Sequence, residues 1–369
     1  MSASRRLSAA VPLVAVALLL SACGIDTSGG SAGGSTAGSS VAPDISSVEP
    51  PADPREFQGV VSPLVDETDI DPVVEDPEPE LPAVVTDAQG NKVTVTDTSR
   101  VLALDLYGTL SRTVFELGLG DRLVGRDTST RFEQAADLPL VTPKGHDLSA
   151  EAILDLDPTV IISDTTLGPV DVLHQMEEAG IPVVWVESDR NLGNVGELTR
   201  MTAAALGVPE AGTLLADRIE AEVKEVTAKI AAKAPADPTD RLRTVFLYVR
   251  GTAGVYYMFG QGSGADDLID AVGAYDVAEE IKWKGMRPVT AEGLVAAAPE
   301  LVVMMTGGLE STGGVDGLLE KLPALAQTSA GRNKRIVTID DSLILGYGPN
   351  TADVLNALAV AVIAPEALT

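Results

Sequence analysis

From residue 83 onward, short apolar runs alternate with amphipathic stretches. The runs "RVLALDL" (100–106), "PTVIISD" (158–164), "IPVVWVE" (181–187), "RTVFLYV" (243–249), "ELVVMM" (300–305) and "RIVTID" (335–340) are unbroken by polar residues at their centres. They predict strands buried on both faces. Helical spacing falls between them, at 110–117, 149–156 and 169–179 among others. "AVVTDAQGNKVTVTD" at 83–97 alternates with period two around Gln89-Gly90-Asn91, which predicts a hairpin. Strands alternating with helices predict an α/β fold with parallel sheets. Residues 256–263 read as a loop.

One stretch breaks the alternation. Residues 209–234 open on Pro209 and run helically up to Pro235, with Leu215, Ile219, Val223, Val226 and Ile230 as an apolar stripe at spacings of three and four. At 1.5 Å per residue such a helix spans roughly 39 Å, the length of a small domain. On either side of it a pattern repeats: "SAEAILDLDPTVII" (149–162) and "TAEGLVAAAPELVV" (290–303) each carry a Ser/Thr cap, Ala-Glu, an aliphatic pair, a proline and a strand. Ser149 and Thr290 are placed to cap their helices, with Glu151 and Glu292 in the first turns. The repeat predicts two α/β lobes, 83–208 and 235–369, joined by the helix at 209–234.

Ahead of the lobes the chain changes character. Residues 1–23 hold Arg5 and Arg6, an apolar stretch from Ala9 to Leu20, and then "LSAC", the pattern of an export signal. "LSAC" resembles the bacterial lipobox, which implies lipidation of Cys23, the only cysteine in the chain. Residues 24–43 are rich in Gly and Ser, and 44–82 hold twelve Asp or Glu against one Arg, with eight prolines. That composition predicts a disordered tether over 24–82. The net charge of −28 excludes a nucleic-acid binder, which needs basic surface to displace counterions from phosphate.

Candidate chemistry is sparse. Tyr248 and Arg250 stand two apart at the end of an apolar strand, so both leave the same face, at the end of the sheet where open α/β folds place ligands. His146 is one of two histidines; the other, His174, sits mid-helix among charges and reads as a surface residue. Tyr107, Arg131, Tyr257, Trp283, Met286 and Met305 fall in loops or strand ends and are candidates for lining a cleft. No nucleophile elbow, P-loop or supported carboxylate pair is present, which argues against an enzyme. Two histidines are too few for a zinc or manganese importer's convergent ligand set.

The lipobox, tether, paired lobes and spanning helix together resemble the substrate-binding lipoproteins of ABC importers, in the cluster that carries iron-siderophores, cobalamin and haem. "KGHDLSAEAILDLDP", "LYVRG" and "GMRPVTAEGLVAAAP" look most like the haem-binding lipoproteins of Gram-positive haem importers. The resemblance implies two Rossmann-like lobes with a ligand cleft between them. His146 and Tyr248 would cap the iron of ferric haem b from opposite sides, supported by Arg250. Glu151 and Glu292 would meet arginines on the two subunits of an ABC permease that works with its ATPase. The protein would sit on the extracellular face of the cell membrane, anchored through Cys23, and take haem from upstream donor surface proteins. The chemistry is coherent: imidazole and phenolate are both known axial ligands of haem iron. Phenol ordinarily ionises near pH 10, and an arginine on the same strand face is a permanent cation beside it. A ferric-siderophore or cobalamin carrier of the same fold is the alternative.

Overall fold

Among the described residues twelve strands form three sheets: β1 (Val60–Val61), β2 (Ala83–Thr86), β3 (Lys92–Val95), β4 (Val101–Leu104), β5 (Val160–Ser163), β6 (Val183–Trp185), β7 (Arg243–Arg250), β8 (Val255–Phe259), β9 (Tyr275–Asp276), β10 (Met286–Pro288), β11 (Leu301–Met305) and β12 (Ile336–Ile339). The structure is a computed structural model and describes residues 40–65 and 70–369; the export signal, Cys23 and residues 24–39 of the expected tether lie outside the described residues. β2 and β3 pair as the expected hairpin, its turn closed by Asp87, whose carboxylate accepts the N–H groups of Gln89 and Asn91.

In the N-terminal lobe β4, β5 and β6 form a parallel sheet whose every residue is buried. Alternate residues feed two cores: Val101, Ala103 and Ile162 on one face, Leu102, Leu104 and Trp185 on the other. The C-terminal lobe repeats this plan around β7, β11 and β12, with Phe246, Val303 and Ile339 in one core and Val245, Leu247 and Val302 in the other. The fold is α/β, with two doubly covered lobes.

The helix Pro209–Lys233 serves both lobes. Ala211, Leu215 and Ile219 enter the N-terminal core, Val226 and Ile230 enter the C-terminal core, and Val223 packs against each. One amphipathic stripe therefore ties the lobes along their backs. A second junction lies at the front, where Thr109 Oγ1 donates to Gly346 O at 3.1 Å.

Two expectations need correction. The C-terminal sheet is mixed, in the order β1-β12-β11-β7-β8-β10. β8 runs antiparallel to β7 because the short "GTAG" connection between them, with Gly254 in the left-handed region at φ +68, can join only antiparallel strands, and β10 pairs antiparallel with β8 in turn. The loop expected over 256–263 is therefore strand through Phe259, its first half.

The described part of 44–82 is also ordered. Ile45 and Val61 are fully buried, and β1 adds in parallel to the edge of β12. Asp44 pairs with Lys229 of the long helix at 3.0 Å, and Arg55 pairs with Glu300 at 3.1 Å. Farther on, Glu80 N–H donates to Gly207 O at 2.7 Å. An acidic, proline-rich stretch cannot bury a core alone. It does not need to, because finished lobes offer it a sheet edge, apolar sockets and opposite charges.

Candidate functional site

Tyr248 and Arg250 project from the end of β7 on the face shared with Phe246, as the strand's alternation requires. The antiparallel register sets Tyr257 opposite Tyr248 and Phe259 opposite Phe246; β10 then sets Met286 beside Phe259. The same-face residues make an aromatic and thioether surface at the end of the sheet. The Phe259 and Tyr248 rings stack 6.1 Å apart.

Arg250 does not approach Tyr248 through its oxygen. The guanidinium lies over the ring, 4.6 Å from its centroid, as a cation–π contact. Nη1 donates to Val249 O at 3.0 Å, and Nη2 meets Met305 Sδ at 3.4 Å and Asp341 Oδ2 at 2.9 Å. Asp341 is anchored in turn by the Gly307 N–H, which donates to Oδ1 at 2.9 Å. Tyr248 and Arg250 are both half-buried, so the pair faces the cleft with its cation in place.

His146 stands on the other lobe, at the tip of a turn closed by a bridge between Lys144 and Asp147. Gly145 in that turn has φ +74 with open space where a Cβ would stand, so the backbone conformation itself demands glycine. Buried Leu148 pins the loop, its N–H donating to Gly168 O at 2.6 Å. The imidazole is held below the usual histidine range, first by partial desolvation and then by the charges of Arg250 and Arg131, with Asp341 and Asp147 opposing. Arg250 and Asp341, whose charges act on this exposed imidazole, belong to the opposite lobe. A neutral imidazole has a free ring nitrogen for a metal.

The N-terminal wall continues through Tyr107 and Arg131, which line a small cavity of ≈ 20 Å³ together with Phe132, Leu343 and Gly346. Beneath it Arg190 is buried between Asp105 (3.3 Å) and Asp164 (2.6 Å) and lies 5.9 Å from the Tyr107 ring. Burial pushes the Tyr107 phenol up to about 12, and pushes the Asp105 carboxyl up to about 8 against the pull of Arg190. Tyr107 is therefore a neutral phenol.

With this geometry in view, the comparisons are direct. The periplasmic binding protein family matches residues 106–343. The chain belongs to the periplasmic binding protein family. Among solved structures, the heme binding protein HmuT is 42% identical, with a TM-score of 0.79 over 85% of this chain and 100% of that one. The periplasmic heme-binding protein RhuT from Roseiflexus sp. RS-1, in apo form, is 35% identical, with a TM-score of 0.65 over 74% of this chain and 100% of that one. BhuT, solved in complex with two hemes, is 30% identical, with a TM-score of 0.62 over 73% of this chain and 99% of that one. No curated protein matches the chain significantly.

Not every candidate reaches the cleft of this binding protein. Trp283 belongs to the opposite face of the C-terminal sheet: its Nε1 donates to Met258 O at 2.9 Å, and its ring packs against Gly293. Its place in a connection next to Met286 did not reveal which face it takes. Glu151 and Glu292 lie away from the cleft residues, exposed in the first turns of the helices Ala150–Asp155 and Ala291–Ala297. Ser149 and Thr290 cap those helices, accepting from the N–H groups of Ala152 and Gly293. Phe259 and Asp341 were missed. The mirror of "FLYVR" and "VYYMF" about "GTAG" is a hairpin signal that exposes Phe259, whereas nothing local in "TIDD" marks Asp341.

Proposed function

We propose that this binding protein captures ferric haem b between its lobes and delivers it to the permease of an ABC importer for haem-iron uptake. What supports the reading is Tyr248 with its stacked Arg250 at the end of β7 on one lobe, and a single histidine, His146, on a tight turn of the other. Imidazole nitrogen and phenolate oxygen supply one neutral and one anionic axial ligand, which together suit a ferric centre. The depressed proton affinity of His146 keeps its ring nitrogen available. Arg250, stacked on Tyr248, sets a permanent positive charge over the ring of a phenol that would bind iron as an anion. Tyr257, Phe259, Met286 and Met305 offer a flat porphyrin an apolar wall. Solved variants of HmuT replace one histidine, one tyrosine and an arginine two positions beyond that tyrosine with alanine, the same three residue types at the same tyrosine–arginine spacing.

In this account Glu151 and Glu292, one per lobe, dock the carrier on the two permease subunits, which work with their ATPase. Cys23 carries the lipid anchor that holds the protein at the outer face of the membrane, where donor surface proteins pass haem to it. Haemin titration followed by absorption tests the ligand set: Tyr248→Ala loses affinity, and His146→Ala keeps haem but shifts its spectrum toward high spin. Wild-type spectra and affinities in both variants would refute it. Charge reversal at Glu151 and Glu292 is expected to stop uptake with haemin binding unchanged.

A further inference from the structure

Asp341 is the charged group nearest to Arg250, and the ligand reading gives it no role. Its carboxylate is seated with care. Oδ1 is held by the Gly307 N–H at 2.9 Å, and a Cβ at Gly307 would lie 3.0 Å from Oδ2 and 3.2 Å from Oδ1. At Gly308 a Cβ would approach Val249 O to 3.0 Å and Arg250 Nη1 to 3.6 Å. The glycine pair at 307–308 therefore lets the chain come close enough to seat Asp341 against the guanidinium.

That seat is not needed to hold Arg250 in place. The Val249 carbonyl, the Met305 thioether and the Tyr248 ring all contact the guanidinium independently of Asp341. What Asp341 alone supplies is charge. Placed 2.9 Å from Nη2, it offsets the cation stacked on Tyr248. Any anionic group entering the cleft, whether a phenolate on iron or the carboxylates of a porphyrin, meets a weaker positive field because of it.

We propose that Asp341 is a restraining counter-ion that weakens the grip of Arg250 on an anionic ligand, so that the carrier releases its cargo faster than the cleft would otherwise allow. This rests on the reading that haem occupies the cleft beside Tyr248. A carrier must give up what it captures, and a partly exposed carboxylate adjusts the hold without altering the ligand set.

The test is the rate at which haemin leaves the protein for an excess of a tighter haem acceptor, in wild type, Asp341→Asn, Asp341→Glu and Arg250→Ala, with and without Asp341→Asn. Asp341→Asn keeps the size and the acceptor oxygen for Gly307 but removes the charge, and release is expected to slow by about 3- to 5-fold, the scale of a partly exposed ion pair. Asp341→Glu keeps the charge and is expected to release close to the wild-type rate, while the absorption spectrum stays that of wild type throughout. In the Arg250→Ala background the Asn substitution is expected to change nothing, since the effect runs through Arg250. Release from Asp341→Asn as fast as wild type, or faster, overturns the proposal, and so does an equal effect without Arg250. Tyr248→Ala in the same series reports on the ligand reading by itself: if its spectrum matches wild type, the ligation assignment fails, while the ratio of Asp341→Asn to wild type still decides the counter-ion.

Discussion

Each lobe brings a tyrosine, an arginine and an aspartate to its side of the cleft, and the two trios behave differently. On the C-terminal side Arg250 stacks on Tyr248 at 4.6 Å and pairs with Asp341, all three partly open to the cleft. On the N-terminal side Arg190 lies 5.9 Å from Tyr107 and is enclosed between Asp105 and Asp164, its side chain 2% exposed and theirs 0%. The residue types match; the burial does not. Burial makes a charged group expensive unless it is paired. The sealed trio responds by neutralising itself, Asp105 holding its proton up to about pH 8 and Tyr107 up to about pH 12. The open trio keeps its paired cation partly exposed, within reach of whatever enters. The same chemistry is a bolt in one lobe and, in the proposed function, a ligand wall in the other.

The comparison is broken most forcefully at Arg190. Arg190→Ala removes the buried cation shared by Asp105 and Asp164 and is expected to destabilise the fold by about 3–5 kcal/mol in chemical unfolding, while the folded fraction keeps the haemin spectrum. Arg250→Ala is expected to do the reverse: stability nearly unchanged, haemin affinity down about 10- to 100-fold, as when the outer-shell partner of a metal ligand is lost.

Asp105 gives the sealed trio a pH signature. Its carboxyl titrates higher folded than unfolded, so the folded state binds the extra proton between about pH 4 and pH 8. Stability from this group is full below about pH 4 and is lost as pH rises through about 8. Thermal unfolding across that window should show the loss, and Asp105→Asn should flatten it. The smallest effect is at His146, whose imidazole is held below the usual range in part by Arg250. Arg250→Ala should raise its titration point, read by NMR in a chain with only one other histidine.

Periodicity made the scaffold legible. The apolar stripe from Leu215 to Ile230 located the spanning helix, because a helix that serves two cores keeps one face apolar throughout. The spacing of two between Tyr248 and Arg250 is enough by itself to set both on one face of a strand. What escaped depends on contacts distant in sequence. Asp341 meets Arg250 across a strand connection, and Trp283 takes its face from packing on Gly293. Ile45 and Val61 look stranded in an acidic run until β12 and the long helix are placed beside them. Charge counting describes a segment alone, and these residues are ordered by what they lie against.

The most direct test removes one oxygen from each tyrosine. Tyr248→Phe and Tyr107→Phe both retain the ring over its arginine, so packing and cation–π contact survive in each. Resonance Raman spectra of the haemin complexes report an iron–phenolate vibration. The account predicts that the vibration is present in wild type and in Tyr107→Phe and absent from Tyr248→Phe. Its persistence in Tyr248→Phe, or its loss in Tyr107→Phe, would contradict the assignment of the open trio as the iron-binding wall.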